Sequence, residues 1–468
     1  MGECAGLEGP LRRCAAGPGH QGPVGMNVVG EILATGRGRT AVLLLAAVAA
    51  LGVLPYIPVL SQPFVSDDYL QIWLGRKYGP VAGWEALASD ALYRARSVSL
   101  VMTYWTDRLF GFSPLPFYLT SILLHVVNSW LVYCLGQRLG FGRRTAVCAA
   151  AFFAVYEGHQ EAVMWYAALP ELTVFAFVAL SLLSWLRFEQ SGGRRMWLAA
   201  SLGAFVLALA SKESAVVTVA LLLLVARGRR RLIPWTAPFL GIAILYTLAI
   251  FAAQSSHQHF NDGTFSLSAP FLLTLANSYW RLFWFWGLLA LAVLAVWREW
   301  AAGRILVIAA AWIAITLLPY SFLTYMTRVP SRHTYLASAG VAWIVGAAFV
   351  VFESRLRTVS RFPVHAVILL AVLHNCGYVW VKKRAQFLER AAPTEALVTL
   401  ARATREPIHI RCFPYNFHLA RLAVEMSVQQ PPELVWESTG DAFSRNCLAI
   451  RSYPVASVTP MAGGASRQ

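Results

Sequence analysis

The feature that most constrains this chain is a series of apolar blocks, each close to the length of a membrane-spanning helix. A helix needs about 20 apolar residues to cross the hydrocarbon core of a bilayer. The blocks cover roughly residues 40–60, 115–136, 145–157, 169–188, 197–211, 213–226, 232–252, 271–297, 304–323, 334–352 and 363–381. Because 57% of the 468 residues are hydrophobic and only 13% are charged, lipid is the solvent for most of the chain. We therefore predict an all-α polytopic membrane protein with about eleven transmembrane helices.

One pair of blocks, 197–211 and 213–226, would also suit a single long helix. That helix would place Lys212 and Glu213 at the bilayer centre, where each charge costs roughly 2.5–3.5 kcal/mol. With a break at residues 211–214 and a cytoplasmic N-terminus, the predicted inner segments hold 19 basic residues. The predicted outer loops before the C-terminal segment then hold 8. Since cytoplasmic loops are enriched in Lys and Arg, this distribution favours the break and an extracytoplasmic C-terminus.

The net charge of +16 suggests a nucleic-acid partner, but its distribution indicates a different role. The basic residues form short clusters between apolar blocks, where they set the orientation of membrane helices. We therefore predict that the protein binds no nucleic acid. Arg greatly outnumbers Lys and Ala is abundant, which weakly favours a bacterial origin and hence the bacterial inner membrane.

Composition divides the chain into three segments. Residues 1–39 are rich in Gly and Pro and predict a disordered cytoplasmic tail, whereas 40–381 form the transmembrane domain, with a long first outer loop at 61–113. Residues 382–468 predict a small extracytoplasmic α/β domain. Its expected helix covers Lys383–Arg402, and its expected strands cover Ile408–Cys412, Leu434–Trp436 and Cys447–Ile450. Cys412 and Cys447 are able to pair if this domain faces an oxidising compartment.

The sharpest chemical motif, Ser66-Asp67-Asp68-Tyr69, lies a few residues beyond the first apolar block. Adjacent helical residues point about 100° apart, so only one of the two carboxylates faces a given pocket. A carboxylate held in the pocket can take the proton from an attacking hydroxyl, while the other hydrogen-bonds locally. The alternative is a plain helix N-terminus, with Ser66 as the cap and acids in the first turn.

Further ionisable residues fall on the next predicted outer loops. Glu157, His159 and Glu161 suit the binding of an acceptor or of a divalent cation, with ordinary interfacial polarity as the alternative. Lys212 and Glu213 lie in a tight reversal between apolar helices, where ionisable groups are functional candidates. The alternative for this pair is a mutually neutralising hairpin tip.

Cationic and polar residues complete the set. Arg328, Arg332 and His333 suit an anionic group such as a phosphate, or else they anchor a helix at the membrane interface. His125 and Asn128 share one helical face and either line an interior cavity or make an interhelical hydrogen bond. Acids and cations at one membrane depth fit a site where a hydroxyl loses its proton as an anionic group leaves. Because nucleotide sugars are not supplied outside the cytoplasm, a sugar donor used there would be lipid-linked.

These motifs resemble those of GT-C fold glycosyltransferases, which use sugars linked to polyprenyl phosphate. The Asp-Asp pair resembles the catalytic acidic pair of that family. The other matching segments are Tyr93-Arg94-Ala95-Arg96-Ser97-Val98-Ser99-Leu100, residues 117–128, Gly158-His159-Gln160-Glu161-Ala162-Val163, Ser211-Lys212-Glu213 and Arg332-His333-Thr334-Tyr335-Leu336. Together, residues 40–340 are similar to the membrane part of tetratricopeptide-repeat O-mannosyltransferases and to shorter bacterial relatives.

The resemblance implies an inverting glycosyltransferase that moves a sugar from a polyprenyl-phosphate-linked donor to a hydroxyl at the outer face of the membrane. It implies Asp67 or Asp68 as the general base. The implied ligands of the donor phosphate are Arg332, His333, Lys212 and Arg96. The residues expected to bind the acceptor or a divalent cation are Glu157, His159, Glu161 and Glu213. Membrane lipid and a protein, glycan or lipid acceptor are the expected partners, and the sequence requires no cofactor.

Two other functions fit the composition. A transporter or flippase of lipid-linked saccharides would place ionisable residues near the bilayer midplane, often in two related halves. Here these residues crowd one predicted face, and no repeat of 20–50 residues is visible. A non-enzymatic membrane scaffold that displays the C-terminal domain is the second alternative.

Overall fold

The structure is a computed structural model, and its described residues are almost wholly helical before the C-terminal segment. It describes residues 36–80, 83–226, 230–255, 260, 263–299, 302–324, 329–356, 362–437 and 448–452. Most of the predicted tail at 1–39 lies outside these residues, and so do Arg328 and Cys447.

The first half of the chain contributes nine helices within the described residues. They are α1 (Gly36–Val53), α2 (Asp67–Tyr78), α3 (Gly83–Ser89), α4 (Ala91–Phe110), α5 (Pro114–Arg138), α6 (Arg143–Val155), α7 (Gln160–Met164), α8 (Leu169–Gln190) and α9 (Arg195–Leu209). Short 3₁₀ turns connect several of them. These turns are Leu54–Ser61, Glu157–His159 and Tyr166–Ala168.

The second half continues with helices and ends in a small sheet. The helices are α10 (Thr218–Val225), α11 (Ala237–Ala252), α12 (Phe271–Phe283), α13 (Trp286–Val296), α14 (Gly303–Leu317), α15 (Ser338–Leu356), α16 (Phe362–Gly377), α17 (Arg384–Ala403) and α18 (Phe417–Ser427). The strands are β1 (Ile408–Cys412), β2 (Leu434–Trp436) and β3 (Ala449–Ser452). The 3₁₀ turns are Glu213–Val217, Arg230–Thr236, Leu318–Phe322 and Ser331–Thr334, and the π-helical turn is Tyr378–Lys383.

Seven helical stretches of the described chain are long and apolar enough to cross a membrane, and one bent pair would make an eighth. They are Val42–Ser61, Pro114–Arg138, Tyr166–Gln190, Arg231–Ala252, Gly303–Phe322, Ser338–Leu356 and Phe362–Ala403, with the pair Phe271–Phe283 and Trp286–Val296 bent by 76°. Two shorter apolar helices, Arg195–Leu209 and Glu213–Val225, flank the predicted break. The all-α membrane architecture is therefore confirmed, whereas the count of eleven spans stays a prediction.

The predicted break between two apolar blocks is present. Helix α9 ends at Leu209, and the chain resumes as a 3₁₀ turn at Glu213. The hydroxyl of Ser211 donates to the carbonyl of Leu207, so this serine stays bonded to the end of the helix. Lys212 lies in an extended conformation between the two elements, which places it and Glu213 at a reversal rather than inside a helix.

Small residues let α15 pack closely against its neighbours. A Cβ added to Gly346 would lie 2.6 Å from the carbonyl oxygen of Thr145 and 2.8 Å from the amide of Ala149. A Cβ added to Gly340 would lie 2.8 Å from the carbonyl oxygen of Ala309. An added side chain would therefore collide with the backbone of the neighbouring helix. Such close approach of two backbones at Gly and Ala is typical of helices that pack in lipid. Helix α15 therefore joins α6 and α14 behind the turn that carries Arg332.

The C-terminal segment forms a three-stranded sheet in the order β2-β1-β3. Strand β1 pairs with β2 in parallel and with β3 in antiparallel fashion. Leu397, Ile408, Ile410 and Phe413 are fully buried in a separate small core beneath it. The first two strands have the predicted bounds, whereas the third covers Ala449–Ser452 and not the predicted Cys447–Ile450. Leu448 is described and lies before the strand, and Cys447 lies outside the described residues. Cys412 is disulfide-bonded, and its predicted pairing with Cys447 stays a prediction.

Candidate active site

A cavity of about 470 Å³, called here the main cavity, lies where α2 and α4, the break after α9 and the turn before α15 converge. Six predicted site residues line it, namely Asp67, Arg96, Lys212, Glu213, Arg332 and His333. They come from segments far apart in sequence. The convergence therefore depends on tertiary packing and on the placement of these segments at one end of the helices.

The two adjacent carboxylates have different surroundings. Asp68 is fully buried, and its Oδ1 accepts the Ala167 N–H at 2.8 Å while its Oδ2 accepts the Val65 N–H at 2.9 Å. The Tyr118 hydroxyl also donates to Oδ2, at 2.9 Å. Asp67 is partly exposed and lines the main cavity, with no hydrogen bond or ion pair to another described residue. Asp67 therefore has the free carboxylate, and Asp68 fixes the start of α2.

Burial affects the acidity of both groups. It raises the pKa of Asp67, and the cations of Arg390 and Arg332 oppose that rise. Burial also raises the pKa of Asp68, to about 7, against hydrogen bonds from Val65 and Ala167. A base whose pKa lies above that of an ordinary carboxylate is a stronger proton acceptor near neutral pH.

Half-buried ion pairs form the floor of the main cavity, and the Glu171 carboxylate among them is buried. The Arg96 guanidinium donates to a Glu213 oxygen at 2.7 Å, and Lys212 pairs with Glu171. The hydroxyl of Tyr320 donates to the other Glu171 oxygen at 2.7 Å, and the Lys212 ammonium lies 5.0 Å from the centre of the Tyr320 ring. Each buried charge thus has an opposite charge in contact, as buried ion pairs require.

An aromatic side chain with two guanidiniums forms the rim. The Arg332 guanidinium lies 4.8 Å from the Trp165 ring, and the Arg390 guanidinium lies 4.5 Å from the same ring. A carboxylate oxygen of Glu161 accepts the Arg332 backbone N–H at 3.3 Å and lies 3.7 Å from its guanidinium. Because that second contact is longer than a hydrogen bond, most donors of Arg332 stay available for another group.

His333 connects the rim to the floor. Its ring stacks on that of Tyr320, with 4.9 Å between centroids and 21° between planes. Arg332 and His333 lie in one 3₁₀ turn, Ser331–Thr334, which Gln160 holds by a 2.7 Å hydrogen bond to the Ser331 hydroxyl. A short turn fixed at its first residue keeps both neighbouring side chains on the cavity wall.

The structure does not bring Glu157, His159 and Glu161 together, although we predicted that they act on one acceptor or cation. Glu157 lines a different cavity, and Glu161 contacts Arg332. His159 is fully buried and bonds the Ser338 hydroxyl at 2.7 Å. The 3₁₀ turn at Glu157–His159 breaks the helical spacing on which the prediction depended. Within the described residues, no group of three His, Cys, Asp or Glu side chains has metal-binding geometry.

His125 and Asn128 do not line either cavity, which corrects the prediction that they do. Both are fully buried, and both bond the hydroxyl of Tyr335, at 2.8 Å and 3.2 Å respectively. Asn128 also donates to the carbonyl of Leu172. These interhelical hydrogen bonds were the open alternative, and they fasten the turn at Tyr335 to α5 and α8.

Sequence reasoning missed several residues of the main cavity. Glu171 carried a signal, since an acid in the first turn of an apolar helix is a functional candidate. Asn416 and His418 line the cavity and Arg390 lies against its Trp165 ring, and all three come from the C-terminal segment, where charged and polar residues are ordinarily solvated. Trp165 is one of many aromatic residues in the chain, and its position in the sequence does not distinguish it from the others as a site residue.

Comparison with known proteins shows which fold the chain shares. Residues 99–257 match the family model PMT_2, described as dolichyl-phosphate-mannose-protein mannosyltransferase. ArnT from Cupriavidus metallidurans bound to undecaprenyl phosphate superposes with a TM-score of 0.54 at 14% identity, covering 86% of each chain. The chain has a GT-C fold. Its predicted resemblance to GT-C fold glycosyltransferases is thereby confirmed.

Two further matches give the extent of the likeness. The GT-C fold also superposes on ArnT from Cupriavidus metallidurans in the apo state, with a TM-score of 0.51, 14% identity, and coverage of 85% of this chain and 86% of that one. The protein O-mannosyl-transferase Tmtc1 of Drosophila melanogaster is 29% identical over 170 residues, which is 33% of this chain. The match spans only 19% of that relative's length.

Proposed function

We propose that this protein is an inverting glycosyltransferase. It moves a sugar from a polyprenyl-phosphate-linked donor to a hydroxyl acceptor at the outer face of the membrane. The observation that carries the proposal is the single cavity shared by the free carboxylate of Asp67 and the cations of Arg332, Lys212 and Arg96. Such a pairing suits a reaction in which one substrate loses a proton while the other loses an anion.

Asp67 acts as the general base. Its carboxylate takes the proton of the acceptor hydroxyl as that oxygen attacks the anomeric carbon in line with the leaving group. One carbon–oxygen bond forms, the bond to the lipid phosphate breaks, and the anomeric configuration inverts. Positioned proton transfer of this kind contributes typically about 10²–10⁴-fold in rate. Asp68 does not touch the substrate and is the positioning residue that holds the start of α2, where Asp67 lies.

The leaving phosphate is held by Arg332 and Arg390, assisted by His333. Guanidinium groups bind phosphate oxygens through two parallel N–H donors, and both of these groups flank Trp165 beside Asp67. Arg96 and Lys212 act from the floor of the cavity, where their carboxylate partners already engage them. Their role is chiefly to set the positive potential of the site and to hold its segments together.

The cavity also has an apolar side that suits the lipid part of the donor. Ile250 and Phe251 of α11 line it together with Tyr246, Phe265 and Phe322. Helix α11 is within a stretch apolar enough to span the membrane. A donor can therefore enter from the bilayer with its prenyl chain against α11 and its phosphate near the rim.

The acceptor is placed near the C-terminal segment. Asn416 and His418 of that segment line the main cavity, and Tyr69 in α2 donates a 3.3 Å hydrogen bond to Glu395 in α17. Asn416 and His418 give one side of the cavity polar groups, and the hydrogen bond joins the C-terminal segment to α2. A protein, a glycan or a lipid that presents a hydroxyl fits this side, and the binding residues would differ with its class.

We place the protein in the bacterial inner membrane, with eleven spans, a cytoplasmic N-terminus and an extracytoplasmic C-terminal domain. The proposed boundaries are 1–39 for the tail, 40–381 for the membrane domain and 382–468 for the last domain. The positive-inside distribution supports this orientation, and so does the disulfide at Cys412, since disulfides persist in oxidising compartments. A periplasmic reporter fused after residue 437 should be active, and an inactive one would contradict the orientation.

An assay in detergent micelles tests transfer against transport. A detergent micelle does not separate two compartments, so transport cannot be observed in it. A flippase would leave a labelled polyprenyl-phosphate sugar chemically unchanged, whereas a transferase releases polyprenyl phosphate. Mannose is the first sugar to test, because the matched family description names it. We expect release that depends on an added hydroxyl acceptor drawn from serine or threonine peptides and saccharides.

Three isosteric variants locate the base in that assay. Asp67→Asn should lose about 10²–10⁴-fold in turnover with normal folding. Asp68→Asn should chiefly lower the melting temperature, because an amide offers one acceptor oxygen where two are used. Asp107→Asn, a control in α4 outside the cavity, should retain activity. Full turnover in Asp67→Asn would contradict the assignment.

A further inference from the structure

A second cavity of about 300 Å³ lies on the other side of the turn that carries Arg332. Val329 and Thr334 line it, whereas Arg332 and His333 line the main cavity, so the Ser331–Thr334 turn forms a shared wall. No described residue lines both cavities. The proposed transfer reaction makes no use of the second cavity, and its chemistry therefore needs a separate account.

The charges of the second cavity are not paired with one another. Glu157, Arg281 and Lys383 line it, and no ion pair joins any two of them within the described chain. The Nε of Arg281 is shielded from solvent and has no hydrogen-bond partner among the described residues. A buried, unused guanidinium donor beside a second cation costs free energy unless a ligand accepts its hydrogen bond.

The balance of charge favours an anionic ligand. Two cations face one carboxylate, and burial raises the pKa of Glu157 to about 7, against the cations of Arg281 and Lys383. Near neutral pH this carboxyl group is therefore partly protonated and able to donate a hydrogen bond. Phosphate oxygens accept hydrogen bonds from a guanidinium, an ammonium and a carboxyl group alike.

The surroundings of the cavity place it at a membrane surface. Trp280 and Trp284 line it and remain 60% and 54% exposed. They lie at the end of α12, where the chain bends by 76° into α13 through Phe285, which has a positive φ of 58°. Exposed Trp side chains concentrate at the depth of lipid headgroups. A headgroup that enters beside these rings meets Arg281 within the cavity.

We propose that the second cavity binds the phosphate of a membrane-lipid headgroup, separately from the sugar donor. Arg281 and Lys383 hold the phosphate, Glu157 bonds a headgroup oxygen, and the two Trp rings lie against the start of the lipid chains. The lipid would brace the turn that presents Arg332 to the main cavity. This inference goes beyond the proposed function and does not depend on it.

Native mass spectrometry of the purified full-length protein tests the inference. The probes are a short-chain phosphatidylglycerol, a diacylglycerol with the same chains and no phosphate, and inorganic phosphate with no chains. We expect retention of phosphatidylglycerol alone. Equal retention of the diacylglycerol would overturn the recognition of phosphate, and binding of inorganic phosphate alone at similar affinity would overturn the lipid source.

Matched variants locate the binding. Lys383→Ala and Arg281→Gln should each weaken phosphatidylglycerol binding about tenfold or more, because each removes a hydrogen bond to a charged group. Lys382→Ala is the control, since this exposed neighbour does not line the cavity. Arg332→Ala separates the two cavities and should leave retention unchanged. Unaltered binding in both Lys383→Ala and Arg281→Gln, with their folding intact, would refute the site.

Discussion

The floor and the rim of the main cavity hold similar charges in different states. On the floor, Lys212 pairs with Glu171 and Arg96 contacts Glu213 at 2.7 Å. At the rim, Asp67 has no hydrogen-bonding partner among the described residues, and the Arg332 guanidinium lies 3.7 Å from its nearest carboxylate. Charges that are paired with each other hold the structure together. Charges whose hydrogen-bonding capacity is unused are available to bind substrate. In our proposal, this difference separates residues that hold the structure from residues that react with substrate within one cavity.

The largest expected effect is a loss of stability when a charge on the floor of the main cavity is removed. Lys212→Met leaves the carboxylate of Glu171 buried without its cation, which should lower the free energy of unfolding by about 3–5 kcal/mol. Thermal unfolding in detergent measures the loss, with Lys382→Met as the exposed control. If Lys212→Met is as stable as wild type but inactive, the floor binds substrate directly, and the distinction from the rim fails.

A smaller effect, on catalysis and not on stability, is expected when a charge at the rim is removed. Arg332→Ala removes charged hydrogen-bond donors to the lipid phosphate, each worth about 1.5–3 kcal/mol, so kcat/KM should fall roughly 10–100-fold. The melting temperature should stay close to that of wild type, since the contact with Glu161 is long. A large loss of stability with normal catalytic constants would place Arg332 among the holding residues.

The pH dependence sharpens the account of Asp67. Because a general base must be deprotonated, kcat/KM should rise with pH through the raised pKa of Asp67. Arg390 opposes that rise, so Arg390→Ala should raise the pKa further and move the acidic limb to higher pH, by up to about one unit. Arg405→Ala, at an exposed position outside the cavity, should leave the limb in place. A shift to lower pH in Arg390→Ala would contradict this arrangement.

The smallest effect should come from Glu161. Its contact with Arg332 is partly exposed, and such ion pairs contribute about 0–1 kcal/mol. Glu161→Gln should therefore change kcat/KM by less than about fivefold, and Glu161→Ala should do the same. A loss as large as that of Arg332→Ala would mean that Glu161 itself binds substrate.

Much of the site could be predicted from the pattern of apolar blocks. Because the blocks fix which loops share a side of the membrane, Asp67, Lys212 and Arg332 could be expected at one depth. The break at residues 211–214 was predictable for the same reason, since an unbroken helix would bury two charges in lipid. These inferences depend only on how deep a residue lies in the membrane. The ends of the apolar blocks indicate that depth directly.

Other features depend on contacts that the sequence does not record. The choice between Asp67 and Asp68 is decided by the N–H groups of Val65 and Ala167, which lie about one hundred residues apart. The amphipathic pattern of α17 predicts that Arg390 lies on a solvated face. In the structure, Arg390 of α17 lies against the Trp165 ring and so belongs to the rim. Glu157 was grouped with Glu161 by helical spacing, and a 3₁₀ turn removed that spacing.

The central claim is that Asp67 and the lipid phosphate meet in the main cavity. The most direct measurement is a structure of the purified protein with a polyprenyl phosphate bound. We expect the phosphate within about 3 Å of the Arg332 or Arg390 guanidinium, with the Asp67 carboxylate facing the same space and the prenyl chain along α11. A phosphate bound only in the second cavity, or far from Asp67, would contradict the account.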